Sequence, residues 1–592
     1  MIYKAPSKDI RFALNELAEL PAICTLPGYE DCSVELTEAI MEEGAKFAEN
    51  VLAPINRLGD KGAKWAPDFS VTAAEGFKDA WQQYVEAGWV GLRAPAEFGG
   101  QGLPALVAIA AEEMWCSASL AFSLAPLLTL GAIEAINHHA SGELKAVYLP
   151  RMSSGEWTGT MNLTEPQAGS DLVRSKAVPV GDGSYKISGQ KIFITWGEHD
   201  MADNIVHLVL ARLPDAPAGV KGISLFIVPK FLVNADGSLG ARNDVRCVSL
   251  EHKLGIHGSP TAVMSFGDDG GAIGYLVGEA NKGLSYMFTM MNHARLGVGV
   301  EGMAVSERAY QKAVEYARER VQSRAIGSPD AAGVAIIQHP DVRRMLMTMK
   351  AQIEAQRALA YYAAAALDRA ARDPVASEAA RSQALVNFLI PVVKGWNTEQ
   401  ANEITSLAMQ IHGGMGYIEE TGVAQYCRDA RITAIYEGTT GIQALDLIGR
   451  KTASEDGATA RWLLEEVKVT AGKLAAAGYA SLAANLEAAA ADAERCVAFI
   501  LDTFGSRPQL AAAGSVPFLK LMGIVLGGWM MGRAALIARA QQGEEDADAG
   551  FLAAKIVTAR FYGEHLLPQT SGLAAAIIHG ADSVLELDAA LF

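Results

Sequence analysis

Most of the chain has apolar residues at every third or fourth position, a spacing that is typical of helices. This pattern runs from about residue 36 to 157, returns at 283 and continues to about 450. Residues 352–372 are rich in alanine, the strongest helix former. Residues 451–592 are again alanine-rich, after a turn-forming break near 455–457. The pattern predicts helices at both ends of the chain and throughout its second half.

The apolar period falls to two between about residues 159 and 278, which indicates β-strands. Apolar residues alternate on both sides of Gly181-Asp182-Gly183, which has the composition of a β-hairpin turn. The further strand-like runs, each bounded by Gly, Pro, Asp or Asn, are 205–213, 223–228, 245–250 and 262–266. We therefore expect an antiparallel β domain in the middle of the chain.

These patterns predict an α+β fold that is mostly helical. We expect an N-terminal helical domain over 1–158, a middle β domain over 159–280, a helical bundle over 281–450 and an extra helical domain over 451–592. The helices show no repeat of fixed period, so the sequence does not support a solenoid.

Composition and charge argue against several classes of protein. The 592 residues include 50 Lys and Arg against 67 Asp and Glu, a net charge of −17, so no basic excess is available to neutralise a nucleic-acid backbone. The six cysteines form no CxxC pair and no Cys/His spacing that suits zinc, so we expect no metal site. The N-terminus has no leader pattern, and the longest apolar run, 521–531, is shorter than the roughly 20 residues of a membrane span. We expect a cytoplasmic protein without an integral membrane segment, and 521–531 as a buried helix.

One segment matches the dinucleotide-binding pattern GxGxxG letter for letter, Gly297-Val-Gly-Val-Glu-Gly302. That fingerprint requires a strand before it and a helix that opens at its glycines. Here 287–296 has a helical pattern and continues into 298–316, so we reject a nucleotide site. Small residues that allow two helices to approach closely are the favoured interpretation.

Two glycine-containing segments have both an ordinary and a functional interpretation. Residues 161–171 place Thr164 before a proline turn and Gly169-Ser170, which is either a capped turn or a set of N–H groups for a phosphate. Residues 410–417 contain a glycine cluster after a helix, most simply a helix C-cap and turn.

A third segment, 189–195, is predicted to be a strand. Phe193 and Thr195 share one face of it by the two-residue period. An aromatic residue beside a hydroxyl either forms the edge of a core or flanks a flat ring.

The segment that contains most of the candidate chemistry is 434–443, in which Glu437 follows an apolar run and precedes glycine and threonines. An isolated glutamate here would be an ordinary acid at a helix start, stabilised by the helix dipole. A carboxylate held among apolar groups instead has its proton affinity raised by desolvation, as a base that removes a weakly acidic C–H requires.

Taken together and in order, these segments resemble the motifs of the acyl-CoA dehydrogenase family. The matching stretches are TEPQAGSD at 164–171, GQKIFIT at 189–195, the helix around Arg295, QIHGGMGY at 410–417 and IYEGT at 435–439. The resemblance covers about 36–450. It implies an N-terminal helical domain, a middle β-barrel and a four-helix domain, with FAD bound between them and a second subunit contributing to the site.

The resemblance also implies roles for individual residues. Glu437 matches the base that removes the α-proton of an acyl-CoA thioester while the β-hydride passes to the flavin, and its backbone N–H polarises the thioester carbonyl. The positions that match flavin contacts are Leu163, Thr164, Gly169, Ser170, Phe193, Thr195 and Thr439, with Gln410 and Gly414 supplied by the neighbouring subunit. The positions that match substrate contacts are Ser170, Asn292, Arg295, Tyr436 and Gly438.

Some positions depart from the family pattern. An arginine that often reaches the partner's FAD is matched by either Arg320 or Arg324. Branches of the family place the base on the earlier helix, at the position of Ala294, which cannot act, so Glu437 is the base that this sequence offers. Gly441 stands where many members have a polar amide, which puts one flavin contact in doubt.

Three features make the sequence most similar to one branch of the family: the long extension after Arg450, the start Met1-Ile-Tyr-Lys-Ala-Pro6 and the segment Ile194-Thr-Trp-Gly-Glu-His-Asp200. That branch oxidises 3-methylmercaptopropionyl-CoA, a short thioether acyl-CoA, to methylthioacryloyl-CoA. An electron-transfer flavoprotein is the expected electron acceptor. The added helices are expected to cover a surface that shorter members use for tetramers, which predicts a homodimer. The alternatives are another acyl-CoA as substrate, an acyl-CoA oxidase, and a non-catalytic helical scaffold.

Overall fold

The computed structural model of the chain describes residues 3–169, 174–327 and 332–592. Its first part is helical, as the apolar spacing predicts. The helices are α1 (Ser7–Phe12), α2 (Leu20–Ile23), α3 (Val34–Phe47), α4 (Ala53–Gly59), α5 (Phe77–Glu86), α6 (Ala105–Ala118), α7 (Leu120–His139) and α8 (Gly142–Ser154). Helices α6 and α7 are apolar around most of their circumference and are buried almost throughout, so they form the centre of this part.

The middle part is the expected β domain. Its strands are β1 (Lys64–Trp65) and β2 (Val71–Thr72) from the N-terminal part, then β3 (Trp157–Asn162), β4 (Lys176–Pro179), β5 (Ser184–Thr195), β6 (Asn204–Arg212), β7 (Ile223–Pro229), β8 (Phe231–Val233), β9 (Leu239–Arg242), β10 (Val245–Leu250), β11 (Thr261–Phe266) and β12 (Ala272–Leu276). The hairpin predicted at Gly181–Gly183 joins β4 to β5. Strand β4 pairs with both β5 and β6, which closes β4, β5, β12, β7 and β6 into a ring. Most pairs are antiparallel, but β3 and β4 run parallel to β6.

The third part is a bundle of long helices. It contains α9 (Gly283–Glu319), α10 (Pro340–Arg372), α11 (Ala376–His412), α12 (Val423–Ala430) and α13 (Thr440–Gly449). A Cβ atom on Gly299 would lie 2.6 Å from Val393 Cγ1, and one on Gly302 would lie 3.0 Å from the Asn397 backbone. The GxGxxG segment therefore lies inside one continuous helix and brings α9 against α11, as the sequence interpretation predicts.

The last part packs directly against the bundle, with α17 on α10, α11 and α13, and the N-terminal segment contacts both. Its helices are α14 (Ala458–Ala476), α15 (Ala480–Phe504), α16 (Pro508–Ala513), α17 (Ser515–Gln541), α18 (Ala549–His565), α19 (Thr570–His579) and α20 (Ala581–Glu586). Lys555 on α18 forms ion pairs with Asp9 and, at 3.1 Å, with Glu354 on α10. Glu19 similarly pairs with Arg369 of α10 at 2.8 Å and Arg533 of α17 at 3.4 Å. These charges tie the first residues to both the bundle and the extension.

Two helices, α7 and α17, are long and apolar enough to cross a membrane by length and composition. In each of them, 83 % of the apolar window is buried inside the fold. Residues 521–531 lie in α17 and are buried, as the sequence analysis expects. The apolarity of both helices is therefore accounted for by core packing.

Candidate active site

Glu437 lies in a short loop between α12 and α13 whose backbone is in an uncommon conformation. Glu437 has φ +54° and Gly438 has φ +90°, so two successive residues are left-handed. Such a φ is uncommon for a residue with a side chain and is often found at functional sites. Thr439 then caps α13, because its side chain accepts a hydrogen bond from Ile442 N at 3.4 Å. The loop turns the chain sharply at the acid and starts a helix directly after it.

The Glu437 side chain is half-exposed as a whole, but its Oε2 atom is buried and has no hydrogen-bond partner among the described residues. Burial raises the pKa of this carboxyl group above its usual value, and the charges of Arg295 and Lys394 partly oppose the rise. A buried carboxylate oxygen without a donor is suited to accept a proton from a bound molecule.

Helix α9 places Arg295 beside this acid. Arg295 is 8 % exposed, its guanidinium carbon lies 5.9 Å from the centre of the Phe288 ring, and its Nε has no hydrogen-bond partner in the described part of the chain. Burial lowers its pKa, while Asp446 and Glu437 oppose the change. Asn292, nearly one turn earlier, is exposed, and Ala294 is fully buried. A cation is thus available near Glu437.

Two further charged residues surround the same loop, and sequence reasoning missed both. Lys394 of α11 is fully buried, and its Nζ donates a hydrogen bond of 2.6 Å to Gly438 O. Glu301 of α9 is also fully buried and accepts a hydrogen bond from the hydroxyl of Tyr436. Each interrupts a run of apolar or small residues in the sequence, and that lone charge is the signal that was available.

The segments around Thr164 and Phe193 lie side by side in the β domain. Ile192 N donates to Thr164 O at 2.9 Å, and Lys191 Nζ donates to Leu163 O at 3.0 Å. The pairing of β5 with β11 shifts register next to Phe193, which has φ +60°. Such a bulge is often used to redirect a side chain.

The exposure of the strand residues fits the predicted face. Phe193 is 58 % exposed, Thr195 is half-buried, and Ile194 between them is 2 % exposed. An aromatic ring held in a left-handed, solvent-exposed position at a bulge fits a flat ligand better than it fits a core edge.

The predicted phosphate-binding turn is held by a buried ion pair. The Glu165 carboxylate accepts hydrogen bonds from Ser175 N at 2.9 Å and Arg174 N at 3.0 Å. Lys191 Nζ lies 3.2 Å from Glu165 Oε1. Gly169 is exposed, and a Cβ atom added to it would meet no heavy atom within 4 Å. Ser170 lies outside the described residues.

Four other predicted residues are exposed, and Arg320 among them is far from Arg295. Arg320 caps the C-terminal end of α9, 25 residues after Arg295, which is roughly 37 Å at 1.5 Å per residue. Arg320, Arg324, Gln410 and Gly414 are all exposed. The turn that contains Gly414 also exposes Met415 (51 %) and Tyr417 (85 %). Arg320 therefore does not join the Glu437 site within one subunit.

A cavity lies between the N-terminal helices and α9. Its lining is largely aromatic or apolar and includes Tyr84, Trp89, Trp115 and Gly297, the last of which is two residues after Arg295. The lining also contains the Glu112 carboxyl, whose pKa burial raises to about 7.

Comparison with known proteins agrees with this arrangement. The N-terminal, middle and C-terminal domain models of acyl-CoA dehydrogenases match 35–156, 160–268 and 281–452, and an acetyl-CoA dehydrogenase C-terminal-like model matches 463–588. A 3-methylmercaptopropionyl-CoA dehydrogenase of Ruegeria pomeroyi is 50 % identical over 589 residues, 99 % of each chain.

Solved structures share the fold. Caenorhabditis elegans ACDH-11 in complex with C11-CoA gives a TM-score of 0.77 at 19 % identity, covering 96 % of this chain and 92 % of that chain. An acyl-CoA dehydrogenase from Bacillus anthracis complexed with FAD gives 0.71 at 21 % identity, covering 95 % and 92 %. With the domain matches and the full-length relative, these findings establish that the chain belongs to the acyl-CoA dehydrogenase family of FAD-dependent oxidoreductases and carries an additional C-terminal domain.

Proposed function

We propose that this chain dehydrogenates an acyl-CoA thioester between its α- and β-carbons, with Glu437 as the base that removes the α-proton. The observation that carries the proposal is the buried Glu437 Oε2 without a donor among the described residues, in a loop whose neighbours supply two cations. A raised pKa makes the carboxylate a stronger base toward a weakly acidic C–H, and the two cations favour its ionised form.

Residues of the chain would also stabilise the charge that develops on the thioester. Glu437 and Gly438 both have a left-handed backbone conformation, and the N–H of Glu437 is the proposed donor to the thioester carbonyl. Arg295 and Asn292 are the proposed contacts to the CoA portion, with Tyr436 and Gly438 beside the acyl group. Polarisation of the thioester carbonyl would acidify the same Cα–H bond from which Glu437 removes the proton.

The residues present fit FAD. The exposed Phe193 ring at the bulge, with Thr195, Leu163 and Thr164 next to it, is the proposed surface for the flavin. Gly169 and Thr439, at a turn and at a helix N-terminus, are suited to the phosphates. Bound FAD would supply the acceptor for the β-hydride, and an electron-transfer flavoprotein is the proposed next acceptor.

The four exposed predicted residues support a homodimer in which the partner completes the cofactor site. Gln410, Gly414 and either Arg320 or Arg324 are the proposed contributions to the neighbouring subunit's FAD. The exposed Met415 and Tyr417 on the same turn give that surface an apolar centre. Light scattering is expected to give a dimer, and a tetramer would contradict the proposal.

We propose 3-methylmercaptopropionyl-CoA as the substrate. The 50 % identity to the Ruegeria enzyme over the whole length supports this choice.

The experiment compares purified wild type with Glu437→Gln on a panel of straight, branched and thioether acyl-CoAs. Glu437→Gln is expected to keep the flavin spectrum and to lose at least about 10²–10⁴-fold in kcat, since it removes only the base. Glu378→Gln, an exposed acid at the start of α11, is the control and should leave kcat unchanged. Near-native turnover of Glu437→Gln would refute Glu437 as the base. A higher kcat/KM for butyryl-CoA or octanoyl-CoA would refute 3-methylmercaptopropionyl-CoA as the substrate. Stoichiometric peroxide release under air would indicate an oxidase.

A further inference from the structure

The loop that contains Glu437 is held by side chains from two helices. Gln443 Nε2 donates to Glu437 O at 3.2 Å, and Lys394 Nζ donates to Gly438 O at 2.6 Å. Both acceptors are peptide oxygens of the two residues with left-handed φ. Since such a conformation persists only when its surroundings fix it, these hydrogen bonds have a structural reason to be there.

Lys394 is an unusual residue to find at this place. It is fully buried in α11, between Val393 and Gly395, and lysine is almost never fully buried unless it is paired. Desolvation lowers its pKa to about 8, while the negative charges of Glu437 and Glu301 oppose the decrease. The charge of its ammonium therefore depends on whether these acids are ionised.

Burial shifts the pKa of Glu301 in the opposite direction from that of Lys394. Burial raises its pKa to about 8, the hydrogen bond from Tyr436 opposes that rise, and its Oε1 has no partner within the described ranges. Near neutral pH it is mainly a neutral acid. It therefore does not compete with Glu437 as a second anion, and Lys394 faces one carboxylate and one carboxylic acid.

We propose that Lys394 is a positioning residue for the reaction: it fixes the Glu437–Gly438 peptide and keeps the Glu437 carboxylate ionised until the α-proton arrives. This inference rests on the proposed function, because it requires Glu437 to be the base. It gives a role to a residue that contacts neither the substrate nor the cofactor in the proposed site.

Other charged and titratable groups around this loop come from every element packed against it. Helix α9 supplies Arg295 and Glu301, α11 supplies Glu399, α13 supplies Asp446 and Arg450, and α6 supplies Glu112 and Cys116. Arg295 is the other cation whose charge acts directly on Glu437. Lys394 differs from it by also bonding to the loop backbone.

The main test is the pH profile of kcat/KM for FAD-loaded Lys394→Met. Catalysis requires the Glu437 carboxylate, so activity rises with pH through the pKa of that group. Removing a nearby positive charge raises a carboxyl pKa by about 1–3, so the acidic limb should move to higher pH by at least about one unit. At a pH below the acidic limb, kcat/KM of Lys394→Met should therefore be about tenfold lower than that of the wild type, in addition to any decrease on the high-pH plateau. Lys394→Arg, which keeps the charge, should return the limb toward the wild-type position.

Lys555→Met is the matched control. Lys555 is also a buried lysine with acidic partners, but it lies on α18 against Asp9 and Glu354. The Lys555→Met variant should have a lower unfolding midpoint but the same acidic limb of kcat/KM as the wild type. An unchanged limb in Lys394→Met would overturn the inference, while loss of turnover in Glu437→Gln would still support the proposed function. Near-native turnover in Glu437→Gln would instead remove the proposed function itself.

A second measurement requires no change at Lys394. Two coupled groups influence each other equally, so Glu437→Gln should lower the pKa of Lys394 in the same chain. NMR of protein labelled with ¹³C at lysine Cε follows that titration, with Glu378→Gln as the control. A Lys394 resonance that titrates at the same pH in wild type and Glu437→Gln would overturn the inference even if every Lys394 variant failed to fold.

Discussion

The ion pair between Lys191 and Glu165 offers the sharpest test of how this fold holds its proposed cofactor surface. Both side chains are buried, at 0 % and 2 % exposure, and their charged atoms lie 3.2 Å apart. Glu165 also accepts hydrogen bonds from Arg174 N and Ser175 N, which come after the predicted phosphate-binding turn. Replacement by methionine, Lys191→Met, keeps the length of the side chain and removes its charge.

The size of the expected stability loss follows from the pKa values of Glu165 and Lys191. The lysine charge and the donors around Glu165 lower its pKa from 4.5 to about 2 despite burial, which corresponds to ~3 kcal/mol of stability at neutral pH. Burial lowers the pKa of Lys191 from 10.5 to about 8, a cost of similar size. The pair as a whole therefore contributes little, but removing one partner leaves a buried carboxylate uncompensated, which typically costs about 3–5 kcal/mol.

The assay is urea unfolding of the FAD-loaded protein, followed by tryptophan fluorescence at several pH values. At pH 7 the midpoint of Lys191→Met should fall by roughly 1 M for an m-value of about 3 kcal/mol/M. Glu165 stabilises the wild type above its unfolded pKa of about 4.5, and that contribution is lost as the pH falls toward 2. The difference between wild type and Lys191→Met should therefore shrink over this range.

The double variant Lys191→Met/Glu165→Gln provides the control. It removes both charges, so it should be clearly more stable than Lys191→Met alone. Additive losses in the double-mutant cycle, or a Lys191→Met midpoint equal to the wild type at pH 7, would refute the reasoning. Flavin content measured on the same samples would report whether the turn still binds the cofactor.

Three further outcomes are expected. Gly299→Ala should lower the free energy of unfolding by about 1–3 kcal/mol because its Cβ would lie 2.6 Å from Val393 of α11. The control Gly472→Ala in α14, with open space around it, should be neutral or stabilising. Equal thermal unfolding midpoints for the two variants would contradict this. Tyr417→Asp should shift the protein from dimer toward monomer in analytical ultracentrifugation, since it places a charge on the exposed apolar turn. The Cys24 and Cys32 sulfurs lie 2.9 Å apart, so treatment with diamide should lower the titratable thiols of the denatured chain from six to four, and Cys24→Ser should retain five.

Strands that consist of an apolar, β-branched run between turn residues were predictable from sequence, including β6 and β7, which are buried on both faces. The hairpin around Gly181–Gly183 and the runs at 205–213 and 245–250 all appear in the sheet. Strand β3 was missed because its sequence, Trp157-Thr-Gly-Thr-Met-Asn162, has a glycine and three polar residues and therefore no apolar run, although five of its six residues are buried. The parallel pairing of β3 with β6 is likewise invisible in a local pattern.

The residues of the candidate site also fall into those that the sequence predicts and those that it does not. The loop at Glu437 was found because its acid, glycine and threonine are adjacent in sequence, and a motif preserves that order. Lys394 was not found because its partner Gly438 is 44 residues away, and Glu301 was not found because Tyr436 is 135 residues away. Sequence order therefore predicts the proposed base, whereas the buried charges beside it are brought there by the packing of α9 against α11.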